Sequence, residues 1–153
     1  MGKALAATYP TARRTFEEAN DVLGFDLARI CFEGPGDLLT STRVCQPAVL
    51  TTSVAAWRVA QEHGVSGSLT LGHSLGEYAA LVASESLSFA TALTLVQARG
   101  DATTEVVSRN PGAMAALLGA SDEDVEALCL EAGEVWPANY NCPGQIVASG
   151  LRG

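Results

Sequence analysis

Gly72-His73-Ser74-Leu75-Gly76-Glu77 decides the reading of this chain. The apolar run Leu69-Thr70-Leu71 leads into it, and the helical pattern Glu77-Tyr78-Ala79-Ala80-Leu81-Val82 leads out. This is the G-x-S-x-G arrangement of a nucleophile elbow, in which a serine sits on a sharp turn between a strand and a helix. The glycines leave room for the backbone to double back and for a substrate to approach. The start of the following helix directs unpaired N–H groups and a positive dipole end towards the serine oxygen. Ser74 is therefore the candidate nucleophile, against a purely structural turn.

The 153 residues suffice for one ordinary domain, or for one domain and part of another. A hydrophobic content of 48% with only 6% aromatics favours helices packed on a parallel sheet over a β-sandwich. The formal charge of −8 argues against nucleic acid and against an anionic membrane surface as partners. No run approaches the ~20 apolar residues of a spanning helix, and Met1-Gly2-Lys3-Ala4 does not open a signal peptide. Cys31, Cys45, Cys129 and Cys142 lack C-x-x-C spacing and suggest no metal site. Four cysteines could form two disulfides, but in their helical, apolar context they read as small buried hydrophobes in a reduced, cytoplasmic protein.

Outward from the elbow, Ala4 to Leu23 has helical composition, interrupted near Pro10 and closed by Gly24. A short helical stretch follows over 25–32, with one more turn around Asp37-Leu38-Leu39. Pro47 is expected to open a helix that Gly64 ends. Leu69 to Leu71 reads as a short buried parallel strand. The elbow helix runs to about Ala83. A longer one covers Ser88 to Val107, with Ala92, Leu93, Leu95, Val96 and Ala98 mainly buried. After Asn110-Pro111-Gly112 the character changes. Residues 113–118 read as a strand, and Ser121 caps an acidic helix start. Residues 135–140 and 145–149 read as two strands around Cys142-Pro143-Gly144. Strand–helix–strand–strand is the first part of a split β-α-β, ferredoxin-like module. The fold class is thus α/β, with a hydrolase-like parallel-sheet core and an incomplete ferredoxin-like small domain. The division is expected at 1–110 and 111–153.

A serine nucleophile needs a base. The chain has two histidines, His63 and His73. His73 adjoins Ser74, and neighbouring side chains at an elbow diverge. His63 sits beside Gly64 at a helix end, where the dipole suits it. Arg99 lies in the apolar run Leu93-Thr94-Leu95-Val96-Gln97-Ala98. It is either a solvated arginine near Gly100 or a buried cation awaiting a carboxylate, which a guanidinium fork grips through two parallel hydrogen bonds.

Five stretches in one order carry a resemblance. They are Gln46-Pro47-Ala48-Val49-Leu50-Thr51, Gly72 to Leu81, Gln97-Ala98-Arg99-Gly100, Gly112-Ala113-Met114-Ala115-Ala116 and Asn139-Tyr140-Asn141-Cys142-Pro143-Gly144-Gln145. Together they resemble the malonyl-CoA:acyl-carrier-protein transacylases, over essentially the whole chain. The resemblance implies ping-pong transfer of a malonyl group from CoA to the phosphopantetheine thiol of acyl carrier protein, in fatty acid biosynthesis. It implies a malonyl-serine intermediate and no bound cofactor or metal. Ser74 matches the nucleophile, and the Leu75 backbone N–H matches one oxyanion-hole donor. Arg99 matches the arginine that binds the free malonyl carboxylate, and Gln46 a glutamine near it. Cys142 stands where many relatives have serine.

Two departures accompany the match. The family's opening strand, with its Gly-Gln-Gly turn, has no counterpart before Met1. The family's catalytic histidine falls beyond Gly153. The resemblance therefore predicts a fragment that turns over little by itself. The competing readings are a serine thioesterase or hydrolase, which has no need of Arg99, and a non-catalytic truncated paralogue that binds acyl carrier protein or another subunit.

Overall fold

The computed structural model describes residues 1–151. The chain is mixed α/β and divides into two compact units, 1–104 and 105–153, the division falling inside one long helix.

The first unit is helical. Helix α1 (Lys3–Thr8) breaks at Tyr9, whose backbone is extended, and α2 (Pro10–Leu23) restarts with proline in its first turn. Gly24 ends α2 in the left-handed region at φ 74°, its N–H returning to the Asn20 carbonyl. Asp26 caps α3 (Leu27–Glu33) by accepting from the Arg29 N–H. One turn, α4 (Gly36–Thr40), precedes the 21-residue α5 (Thr42–Glu62). Helix α6 (Gly76–Ala83) follows the central motif, and α7 (Phe89–Arg109) completes the set.

The core of this unit follows from helical spacing. Ala12, Phe16, Ala19 and Leu23 form one stripe of α2, and Phe89, Ala92, Leu93 and Val96 one stripe of α7. They pack with Ala48, Leu50, Val54, Ala55 and Val59 of α5. Arg58 sutures the rim. Its Nη1 donates to Glu18 Oε2 at 2.6 Å and to Thr15 Oγ1 at 3.1 Å, and its guanidinium lies 5.0 Å from the Phe89 ring centre.

In the second unit, β1 (Gly112–Leu118), β2 (Val135–Cys142) and β3 (Gln145–Leu151) form an antiparallel sheet in the order β1-β3-β2. Helix α8 (Asp122–Ala132) is capped by Ser121, whose Oγ accepts from the Asp124 N–H at 3.1 Å. It buries Val125 and Cys129 against Ile146 and Ala148 of β3. The Tyr140 hydroxyl donates to Glu126 at 2.7 Å, joining β2 to α8. That bond stabilises the protonated phenol and pushes its pKa up to about 12.

The structure departs from the sequence reading at four points. Among the described residues the three-stranded antiparallel sheet is the only sheet, and Leu69-Thr70-Leu71 pairs with no strand. Leu69 and Leu71 are 75% and 86% exposed, because a lone apolar run has no ladder to join. Pro47 lies inside α5 rather than at its start. The helix begins five residues earlier, where the Ser41 carbonyl accepts from the N–H groups of Val44 and Cys45. Leu95 and Ala98 are exposed, since the buried stripe of α7 runs through 92, 93, 96 and 100. The cysteines are all free, but only Cys31 and Cys129 are buried; Cys45 is half-buried and Cys142 exposed.

Burial pushes the Cys31 thiol pKa up, which lowers its thiolate fraction at neutral pH. Timed alkylation with peptide mapping should therefore label Cys142 first, with Cys31 and Cys129 reacting only on unfolding. Equal rates at Cys31 and Cys142 would contradict this packing.

Candidate functional site

The central motif makes a tight reversal. Ser74 adopts φ 53°, a left-handed conformation uncommon outside glycine. The turn closes through Gly76 N–H to the His73 carbonyl at 2.8 Å and Glu77 N–H to the Ser74 carbonyl at 3.2 Å. Strain at a non-glycine residue is retained where surrounding contacts over-determine it. Here the constraint is the approach of Gly72 to the helix start. A Cβ on Gly72 would lie 2.1 Å from the carbonyl carbon and oxygen of Gly76 and 2.4 Å from Glu77 N. A Cβ on Gly76 would meet nothing within 4 Å. The two glycines are thus unequal: Gly72 lacks a side chain so that the Gly76 backbone can occupy that space.

Ser74 is exposed at the start of α6, next to Leu75, the helix N-cap. An N–H at that position has no carbonyl four residues back within the helix. The segment leading in is tied to α6 by Thr70 Oγ1, which donates to the Ala80 carbonyl at 3.1 Å.

Arg99 reaches Ser74 from α7. Its Nη2 donates to Ser74 Oγ at 3.1 Å, and its Nη1 donates to Gln46 Oε1 at 2.5 Å. Gln46 is 8% exposed on α5, so its amide gives the guanidinium a fixed anchor. Three residues read as candidates from the sequence, separated by up to 53 positions, are joined by two hydrogen bonds. Among the described residues no carboxylate lies within ion-pair distance of Arg99. A guanidinium has five N–H donors. With two engaged, others remain for an anionic ligand beside the serine oxygen.

His63 lies elsewhere. It ends α5 exposed, with its ring edge-on to Tyr9 at 5.6 Å between centres. Among the described residues no group of three or more His, Cys, Asp or Glu is placed to hold a metal ion. Among them, too, no helix is long and apolar enough to cross a membrane.

The neighbourhood of Gly100 escaped the sequence reading. Glycine in a helix interior costs ~1 kcal/mol relative to alanine, and α7 continues nine residues past it. That local cost was the available signal of a close backbone approach.

The whole chain, residues 1–153, matches the acyl transferase domain family. The chain belongs to that family. As an acyl transferase domain sequence it is 45% identical over 152 residues to the malonyl CoA-acyl carrier protein transacylase of Escherichia coli O157:H7, and 46% over 154 residues to that of Bacillus subtilis strain 168. These alignments cover 97% and 98% of this chain but 49% of each relative. Among solved structures, a malonyl-transacylase in complex with a type II PKS acyl-carrier protein matches with a TM-score of 0.92 at 43% identity. An acyl-carrier-protein S-malonyltransferase from Bartonella henselae matches with a TM-score of 0.91 at 42%. Each structural match covers 99% of this acyl transferase chain and 50% of the other. The chain spans about half the length of the curated relatives it matches.

The unequal glycines give a stability test. Gly72→Ala should destabilise the fold by roughly 1–3 kcal/mol or more through backbone overpacking. Gly76→Ala should stay within about 0.5 kcal/mol. Urea unfolding of both variants measures the difference, and equal losses would contradict the close approach at Gly72.

Proposed function

We propose that this chain carries the nucleophile and carboxylate-binding part of a malonyl-CoA:acyl-carrier-protein transacylase site, serving fatty acid biosynthesis in the cytoplasm. The observation that supports it is the placing of a guanidinium within hydrogen-bond distance of Ser74 Oγ. Malonyl-CoA has a thioester at one end and a carboxylate at the other. Ser74 serves the first and Arg99 the second.

In this reading the turn at Gly72–Gly76 is a nucleophile elbow of a hydrolase-like α/β fold, and Leu69–Leu71, which pairs with no strand among the described residues, is the segment that enters it. Residues 111–153 are the start of a ferredoxin-like small domain, and 1–110 belong to the large one. Ser74 Oγ attacks the thioester carbonyl carbon. The new C–O bond gives a tetrahedral oxyanion held in part by the Leu75 N–H. The C–S bond then breaks, and CoA leaves as its thiol with the proton that Ser74 gave up. In the second half, the phosphopantetheine thiol of acyl carrier protein attacks the malonyl ester. A C–S bond forms, the C–O bond breaks, and the proton returns to Ser74. We assign the base to neither His63 nor His73.

Arg99 sets the acyl preference. Its anchor on Gln46 fixes the guanidinium before substrate arrives, which limits the entropy lost on binding. The carboxylate takes its free N–H groups beside Ser74 Oγ. A thioesterase acting on neutral acyl groups would have no use for this cation. Without an assigned base, turnover by the chain alone is expected ~10³-fold or more below that of a complete site.

Prolonged incubation with malonyl-CoA, read by intact-mass and peptide mapping, should place one malonyl group on Ser74. Ser74→Ala should abolish it. Arg99→Ala should lower labelling by malonyl-CoA relative to acetyl-CoA by roughly 10- to 100-fold, the effect of one charge-assisted hydrogen bond. Unchanged malonyl preference in Arg99→Ala would overturn the reading.

A further inference from the structure

Three consecutive residues of α7 engage one stretch of α5. Arg99 Nη1 bonds Gln46. Gly100 is buried against the α5 backbone, where a Cβ would lie 3.2 Å from the Thr42 carbonyl oxygen and 3.3 Å from Arg43 Cα. Asp101 Oδ1 pairs with Arg43 Nε at 2.9 Å. Arg43 and Gln46 stand three residues apart on one face of α5, so the contacts form a short ladder with Gly100 in the middle.

We propose that Gly100 is a positioning residue: by letting α7 meet α5 backbone to backbone, it sets the depth at which the Arg99 guanidinium stands beside Ser74, and hence the affinity of the site for an acyl carboxylate. This rests on the proposed role of Arg99.

The physical case has three parts. The contacts a side chain would make at Gly100 are with α5 backbone, which cannot rotate aside as a side chain can. Even alanine would require the helices to part by a few tenths of an ångström, and valine by more. Arg99 precedes Gly100 on a rigid helix, so its Cα moves with that separation, while Gln46 stays with α5. Two hydroxyls also bond back onto the carbonyls of this segment, contacts of the kind that bend a helix locally. Thr103 Oγ1 donates to the Arg99 carbonyl at 2.8 Å, and Thr104 Oγ1 to the Gly100 carbonyl at 2.7 Å. The Arg43–Asp101 pair is more than half exposed and adds little stability. Its effect is on which residues face each other.

The test is malonate binding to the chain, followed by the arginine side-chain ¹⁵N resonances, with acetate as the control. Arg99→Ala defines the signal and the affinity that belong to Arg99. Gly100→Val should weaken malonate binding by roughly 10- to 100-fold, and Gly100→Ala by a smaller factor in the same direction, both measured well below their melting temperatures. If the valine variant does not fold, the alanine variant decides. A merely structural glycine would lower the melting temperature and leave the malonate affinity unchanged, and that result would overturn the proposal. If Arg99→Ala itself binds malonate as the parent does, the reading of Arg99 fails, and the inference fails with it.

Discussion

The Arg99 guanidinium joins three parts of the chain that the sequence keeps far apart. Gln46 on α5 holds one of its nitrogens, and Ser74 at the start of α6 accepts from another. Helix packing in the first unit makes this possible. The α2 and α7 stripes close on α5, burying Gln46, with Thr15 and Thr51, in a largely apolar core. A buried amide without a partner would cost on the order of 1–3 kcal/mol. Arg99 satisfies it, so the contact that organises the site also resolves a problem of burial.

The serine is held by a different constraint. Its left-handed backbone persists because Gly72 and the Gly76 backbone share one space. The hydroxyl is thereby fixed at the N-terminal end of α6, where the helix dipole favours negative charge. Ser74 is set by local sterics and Arg99 by tertiary packing. The two meet at one oxygen, and a substrate that is charged at one end and electrophilic at the other can use both.

What was legible in the sequence divides along the same line. Gly24 closing α2, Pro10 restarting it and Ser121 capping α8 are local signals, and each lies where the pattern puts it. The start of α5 at Thr42 was not legible from Pro47, because the upstream turn depends on the Ser41 carbonyl rather than on a composition signal. The exposure of Leu95 and Ala98 follows from the α7 stripe once its phase is fixed by Gly100. Leu69 to Leu71 shows the limit of periodicity: apolar character alone suggested a buried strand, but a strand needs partners, and among the described residues this run has none. For Arg99, local sequence left a solvated and a buried reading open. The ordered motifs favoured the second, and the bond to Gln46, 53 residues away, is a contact no local pattern contains.

The most direct test of this account is a crystal structure of the chain with Ser74 acylated by malonyl-CoA. The acyl carboxylate should lie on the Arg99 guanidinium, with Gln46 still holding Nη1 and the ester carbonyl oxygen turned towards the Leu75 N–H. A carboxylate pointing into solvent, with Arg99 unmoved beside the esterified serine, would contradict it.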